Sequence, residues 1–328
     1  MLDTVLGALL PVVVTFVLGF VAAWRRDFGP KDASILNRMV LVYAVPLALF
    51  AGTVTTPRDE LSQDIPLVIA LCVAIIGLYA VSFLLSRIAF RQKVGTSALA
   101  ALIASAPAVP FMGPAILGSL FGHHSAIPIT IASLIINLTV VPVTILFLSL
   151  DTAEEESQEK SPAREGENAA LSRASGRSVV VAKLAETVKE PIVWAPVLAF
   201  VIVLSDVRIS PLFVDALSML GHASGGVALF ACGIVLASRK ITVNGYVLFF
   251  VFLKNIVGPA LVLGGLRWLG YGNPIVSEAV LTTAIPAMPI VIMFAVQYRV
   301  AEAEAASAVF PSVICSVITM GVFIALTS

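Results

Sequence analysis

The sequence predicts an all-α polytopic membrane protein, with ten transmembrane helices arranged as two inverted five-helix repeats. The first observation is composition: 59% of the 328 residues are hydrophobic, 12% are charged, and the mean hydropathy is +1.02. Soluble domains carry about 25% charged residues. The other two observations are a series of long apolar stretches and a repeated pair of prolines. The composition excludes a water-soluble globular protein, a basic nucleic-acid-binding protein and an acidic disordered chain.

The apolar stretches set the number of helices. A transmembrane helix needs about 20 predominantly apolar residues to cross about 30 Å of hydrocarbon. Stretches of this kind lie at 2 to 23, 34 to 54, 65 to 86, 96 to 121, 125 to 149, 191 to 205, 211 to 237, 245 to 269, 277 to 298 and 303 to 326. The first contains Asp3 where a signal peptide has basic residues, so we expect it to remain as a spanning helix.

The basic residues predict the orientation. Lys and Arg equal Asp and Glu in number, 20 of each, so the net charge is zero. With ten spans, sixteen bases fall on one side, whereas the other side has Arg58, Arg208 and Arg267, and Lys254 lies inside a span. The positive-inside rule then places both termini outside and residues 151 to 190 in the cytoplasm of a multi-pass protein of the cell (inner) membrane.

The segment 151 to 190 predicts the domain organisation. It is polar and rich in Ser, Glu, Ala and Gly, which is typical of a solvated linker. We expect a first five-helix repeat at 1 to 150, a cytoplasmic linker at 151 to 190 with a short helix near 178 to 190, and a second repeat at 191 to 328.

A repeated proline pair supports two related halves. Pro107 and Pro110 lie in the fourth span, and Pro286 and Pro289 lie 179 residues later in the ninth. The letters ALFA also recur, at an offset of 180. Because each half contains an odd number of spans, the second copy enters the membrane from the opposite side, as in many secondary transporters.

The proline pairs also predict a binding site. Proline removes a backbone donor and breaks a helix, and inverted copies of one broken helix would cross near the membrane midplane. The N-termini of their second halves would present partial positive charge to an anionic substrate. The alternative is an ordinary proline kink in each span.

Three polar residues within the spans are further candidates. Lys254 lies about nine residues into the eighth span, roughly 13 Å along its axis, and a charge at that depth usually faces a cavity or a partner. It could bind a substrate carboxylate, snorkel to the interface or be held by backbone carbonyls. Asn255 and Asn137 could bind substrate or make interhelical hydrogen bonds. No acidic residue is predicted at this depth. The sequence therefore does not decide whether the coupling ion is a proton or sodium.

The sequence resembles the auxin efflux carrier family, which includes plant auxin carriers and bacterial malonate- and malate-permease-like proteins. The resemblance shows in LNRMVLVYAVPLALFAGT, which contains Asn37, in FMG at 111 to 113, in the PAMP motif of the ninth span, and in the pair Lys254 and Pro259. It covers nearly the whole chain, and the malonate-transporter-like branch is the nearest.

The resemblance implies a fold similar to bile-acid symporters and sodium/proton antiporters. In that family, crossed helices four and nine carry the site, helices one, two, six and seven form a scaffold that can dimerise, and helices three to five and eight to ten move as an elevator. Carried over, Pro110 and Pro289 mark the crossing with their neighbours Ala108, Val109 and Met288, and Asn137 contacts substrate. The other candidate site residues of the two breaks are Pro107, Pro286 and Ala287. The sequence departs from many relatives, which have an Asn-Thr-Gly run before FMG.

These observations predict a secondary transporter of a small organic anion, a carboxylate such as malonate or malate. The alternatives are a transporter of auxin-like aromatic acids and a non-transporting membrane sensor or scaffold on the same fold. No DDxxD, HExxH or GxGD run occurs in a span, so we do not expect an enzyme. We also expect no cofactor, metal site or nucleic-acid partner, whereas the lipid bilayer and a second copy of the chain are expected partners.

Overall fold

The computed structural model describes residues 2–55, 64–159, 191–205, 209–238 and 244–328. Within these ranges every regular element is a helix, apart from one isolated pair of residues in β-bridge geometry. The expectation of an all-α membrane protein is therefore confirmed at the level of fold class. The rest of the predicted linker, 160–190, with its expected helix near 178 to 190, lies outside the described residues.

The helices of the first half are interrupted by two π-helical turns and one break. They are α1 (Leu2–Trp24), α2 (Pro30–Met39), a π-helical turn (Val40–Ala44), α3 (Val45–Val54), α4 (Ile65–Ile88), α5 (Val94–Ser105), α6 (Val109–Phe121), a 3-10 turn (Gly122–Ser125), α7 (Ala126–Ile135), a π-helical turn (Ile136–Val140) and α8 (Val141–Glu159).

The helices of the second half follow a similar plan. They are α9 (Pro191–Leu204), α10 (Pro211–Ser238), α11 (Gly245–Phe252), a π-helical turn (Leu253–Val257), α12 (Gly258–Trp268), α13 (Ile275–Ala284), α14 (Ile290–Tyr298) and α15 (Glu302–Thr327).

Six of the described helices are long and apolar enough to cross a membrane, counting a helix as continuous through a π-helical turn. They span Pro30–Val54, Ile65–Ile88, Ala126–Thr152, Pro211–Ser238, Gly245–Trp268 and Glu302–Thr327. Their outward-facing side chains are apolar, as at Val73, Leu261 and Ile318. The chain is therefore a multi-pass membrane protein.

The helix ends agree with the predicted spans to within four residues, with one exception. Helix α8 continues to Glu159, ten residues beyond the predicted end at 149. The extension consists largely of Ala, Glu and Gln, which are strong helix formers, so a polar segment continues the helix without apolar side chains. The first part of the predicted linker is thus helical.

Small residues bring α1 and α10 into close contact. A Cβ atom added at Gly19 would lie 2.0 Å from the carbonyl oxygen of Phe230, and one added at Gly233 would lie 2.1 Å from the carbonyl oxygen of Phe16. Only glycine permits backbones to approach this closely, as is common between membrane helices. On the same helix, Gly221 packs against the backbone of Ala48 in α3. Helices α1, α3 and α10 therefore form a tightly packed group.

We expect Gly233→Ala to destabilise the folded protein by about 1–3 kcal/mol, because the added methyl group forces α1 and α10 apart. The matched control is Gly321→Ala in α15, where an added Cβ meets no atom within 4 Å. That variant should retain or raise the melting temperature, because alanine has the higher helix propensity. Thermal unfolding of the purified variants in detergent compares the two. Equal melting temperatures would contradict the close packing.

Candidate functional site

Two helix breaks form the centre of the molecule. The first, 106–108, separates α5 from α6, and the second, 285–289, separates α13 from α14. Pro110 occupies the first turn of α6, and Pro289 is the residue that precedes α14. Proline is tolerated at a helix start, where its missing N–H has no helical partner, but it cannot continue a helix from the preceding turn. Each proline pair therefore ends one helix and begins the next.

The two breaks pair with each other through their backbones. The N–H of Ala108 donates to the carbonyl of Pro286 at 2.9 Å, and the N–H of Met288 donates to the carbonyl of Ala106 at 3.2 Å. These two bonds form a short antiparallel bridge centred on Pro107 and on residue 287. The expected contact between the two breaks is thus present, and it satisfies polar backbone groups that helices would otherwise satisfy.

A buried polar link holds the second break. The hydroxyl of Ser312, in α15, accepts the N–H of Ala287 at 3.0 Å and donates to Oδ1 of Asn255 at 2.7 Å. The amide of Asn255 donates in turn to the carbonyl of Ser312 at 2.6 Å. Both ends of the Asn255 amide are therefore used in positioning the break. Ser312 is not among the predicted site residues, although it is a polar residue in an apolar span.

Lys254 is buried against the end of α13. Its side chain is 2% exposed, and Nζ donates to the carbonyl of Thr283 at 2.9 Å. A cation at this place compensates the partial negative charge at the C-terminus of α13. Among the three alternatives predicted for Lys254, a hydrogen bond to a backbone carbonyl is therefore present.

Lys254 also lines a cavity of about 370 Å³ between α4 and α12, which we call the lateral cavity. Ser105 and Thr283 line it too. The remaining lining residues are Pro66, Ile69, Ala70, Val73, Ala74, Gly77, Leu78, Val81, Gly258, Leu261, Val262, Gly265, Leu266, Leu269 and Tyr271.

A second cavity, of about 780 Å³, lies where the broken helices face α1, α3 and α10, and we call it the crossing cavity. It brings together three of the predicted site residues, Pro110, Asn137 and Met288. Asp215, near the start of α10, is the one charged side chain among its described lining residues. The cavity thus combines the residues of both breaks with a polar side chain from the fifth predicted span.

Asn137 brings a buried amide oxygen without a hydrogen-bond partner to the described lining of the crossing cavity. It lies in the π-helical turn Ile136–Val140, is 3% exposed, and its Oδ1 has no hydrogen-bond partner within the described part of the chain. Such turns are frequent at functional sites. A buried polar atom without a partner costs about 1–3 kcal/mol, so a ligand group that donates a hydrogen bond to Oδ1, such as a protonated carboxyl, would be favoured here.

The structure divides the predicted site residues into three groups. Pro110, Asn137 and Met288 line the crossing cavity. Lys254 lines the lateral cavity, which shares no lining residue with the crossing cavity, and Asn255 lines neither. The other six residues are buried in or beside the breaks and line neither cavity: Pro107, Ala108, Val109, Pro286, Ala287 and Pro289.

Comparison with known proteins identifies the family. A family model described as "Membrane transport protein" matches residues 4–324. The chain belongs to the auxin efflux carrier family. It is 30% identical to the uncharacterized transporter YfdV of Escherichia coli (strain K12) over 269 residues, which is 81% of this chain and 80% of that protein. It is 20% identical to auxin efflux carrier component 8 of Arabidopsis thaliana over 357 residues, covering 98% of this chain and 94% of that one.

Membership of the auxin efflux carrier family confirms the resemblance found in the sequence and makes the chain a membrane transporter.

Ser312→Ala should lower the melting temperature of this carrier, because it leaves the buried N–H of Ala287 without a partner at a cost of about 1–3 kcal/mol. Ser316→Ala is the matched control, since that hydroxyl donates to the carbonyl of Val313 within the same helix. Removing the Ser316 hydroxyl leaves no buried N–H group without an acceptor. Thermal unfolding in detergent distinguishes the two, and an equal effect of both substitutions would mean that the link to Asn255 and Ala287 does not stabilise the break.

Proposed function

We propose that this member of the auxin efflux carrier family is a secondary transporter of a small organic anion, a carboxylate such as malonate or malate, which binds in the crossing cavity. One observation carries the proposal: Pro110, in the first turn after the first break, and Met288, in the second break, line the same cavity as Asn137. The two breaks pair through their backbones. A substrate in this cavity would contact both broken helices at once.

The electrostatics of the crossing cavity support a singly charged substrate. Helices α6 and α14 begin beside it, and each helix N-terminus carries roughly half a positive charge. None of the described lining residues is basic, and Asp215 is exposed near the start of α10. The two positive half charges balance one carboxylate of the substrate. A second carboxylate on the same substrate would have no positive partner and would lie near Asp215. We therefore propose that a dicarboxylate is transported with one proton of its own.

The proposal includes the arrangement of the spans. Ten crossings would form two inverted repeats, 1–150 and 191–328, with both termini outside and the 151–190 linker in the cytoplasm. The tight packing of α1, α3 and α10 supports a rigid scaffold of α1–α3, α9 and α10, whose exposed apolar face would form a homodimer. The remaining helices, joined by the bridge between the breaks, would move as an elevator.

Pro110→Ala and Pro289→Ala should each lower the transport rate at least tenfold, because a continued helix removes the break that shapes the cavity. Asn137→Ala should weaken the affinity for substrate, and it should disturb folding less than the two proline substitutions do. The measurement is uptake into proteoliposomes of labelled malonate, malate, monocarboxylates and auxin-like aromatic acids. Pro196→Ala is the control, since Pro196 lies inside α9 and lines neither cavity.

Wild-type rates in both break variants, with the protein folded, would refute the site. If the protein binds a member of the panel but moves none of them, the sensor or scaffold alternative is favoured instead. Faster uptake of the aromatic acids than of the dicarboxylates would assign the auxin-like substrate class.

Malonate uptake should rise as the pH outside is lowered from about 7 towards the usual carboxyl range of about 4, because the singly protonated form becomes more abundant. Asp215→Asn should flatten this dependence by removing the repulsion of the second carboxylate. Initial rates at constant total malonate, with the membrane potential clamped, test both expectations. An uptake rate that increases with pH would show that the dianion is carried.

A further inference from the structure

We propose that the lateral cavity is a binding site for a fatty acid, which enters from the bilayer with its carboxylate at Lys254 and its acyl chain along α4 and α12. This site is separate from the crossing cavity, and the proposal does not depend on what the crossing cavity transports.

The shape of the lateral cavity suits a linear chain. A Cβ atom added at Gly258, near one end of α12, would lie 2.9 Å from Leu78 of α4. From there the lining residues continue along α12 to Leu269 while those of α4 run back to Pro66. At 1.5 Å per residue, the eleven steps from Gly258 to Leu269 span roughly 17 Å. The cavity is therefore a long groove between two antiparallel helices, and its volume of about 370 Å³ is ligand-sized.

The end of the groove near Lys254 is polar. Lys254 is the one charged residue among its described lining residues, and its ammonium group has three donors, of which one is directed to the carbonyl of Thr283. Ser105 is 3% exposed, and its hydroxyl has no hydrogen-bond partner in the described ranges. A buried lysine and an unpartnered hydroxyl that line the same cavity favour a ligand that brings negative charge and hydrogen-bond acceptors, and a carboxylate brings both.

The long side of the groove is apolar and open. Ile69 and Val73 of α4, Leu261 of α12 and Leu269, which directly follows α12, line it and are also exposed. In a membrane protein, exposed apolar side chains on a spanning helix face hydrocarbon. The groove is therefore reached from the acyl-chain region of the bilayer. A small dicarboxylate would leave the groove empty, and a neutral lipid would leave Lys254 without a counter-charge.

The experiment measures binding of labelled dodecanoate to the purified full chain in detergent, with dodecanol, dodecylamine and malonate as competitors. Unlabelled fatty acid should displace the label, and the three competitors at equal concentration should not. Equal displacement by dodecanol would show simple partitioning of an apolar chain and would overturn the proposal. Displacement by malonate would assign the label to a carboxylate site of a different kind, which also overturns it.

Two adjacent glycines of α12 provide a matched pair of variants. An added Cβ meets no atom within 4 Å at either Gly264 or Gly265, but only Gly265 lines the lateral cavity. Gly265→Leu should fill the groove and weaken dodecanoate binding at least about tenfold, whereas Gly264→Leu should leave it unchanged. Equal affinity in these two variants would refute the site.

Lys254→Met and Ser105→Ala test the polar end. Lys254→Met should reduce the affinity for dodecanoate at least about tenfold and should abolish its preference over dodecanol, because the charge-assisted bond is lost. Ser105→Ala should give a smaller loss. If Lys254→Met does not fold, the Gly264 and Gly265 pair still decides the question. Unchanged selectivity in a folded Lys254→Met protein would contradict the assigned orientation.

Discussion

The pairing of the two breaks through their backbones is the constraint on which the rest of the structure depends. In the hydrocarbon core no water is available for an unpaired N–H or C=O group, so a broken helix is tolerated only where protein or a wet cavity satisfies the backbone. Here each break supplies the other with one donor and one acceptor, through Ala108, Pro286, Met288 and Ala106. Each break therefore depends on the other for two of its backbone hydrogen bonds.

The paired breaks also place the N-terminal and the C-terminal ends of the four half-helices at different cavities. The N-termini of α6 and α14 lie beside the crossing cavity, whereas Ser105 and Thr283, at the C-terminal ends of α5 and α13, line the lateral cavity. The positive ends therefore face the cavity without a basic side chain, and the negative ends face the buried Lys254. The lysine complements the second pair of dipole ends as the substrate would complement the first.

The helices and their breaks were largely predictable from the sequence. The length of each apolar stretch sets the helix that forms there, and each proline ends or begins a helix at its own position. The offset between Pro107 and Pro286 was sufficient to expect two breaks in contact, and the helix ends follow the apolar stretches. The site was less predictable. The link from Asn255 through Ser312 to Ala287 depends on side-chain directions in segments that three helices separate along the chain. The placement of Lys254 in a different cavity from Asn137 depends on how α4 packs on α12. The continuation of α8 to Glu159 was missed since polar helix formers have no apolar signal.

The contacts between the tightly packed group and the broken helices differ in kind from those within the group. Asn37 lies in α2, which continues into α3 of this group through a π-helical turn, and it donates to the carbonyl of Met293 in α14 at 2.8 Å. Phe111 of α6 packs over Gly225 of α10. A single hydrogen bond contributes about 0.5–1.5 kcal/mol net, and a ring can slide across a glycine surface without a backbone clash. By contrast, α1 and α10 interlock backbone to backbone at Gly19 and Gly233, and a shift along either axis would drive carbonyl oxygens into Cα atoms. If one part of this carrier moves past another, the boundary therefore lies between these two types of contact, at the wall of the crossing cavity.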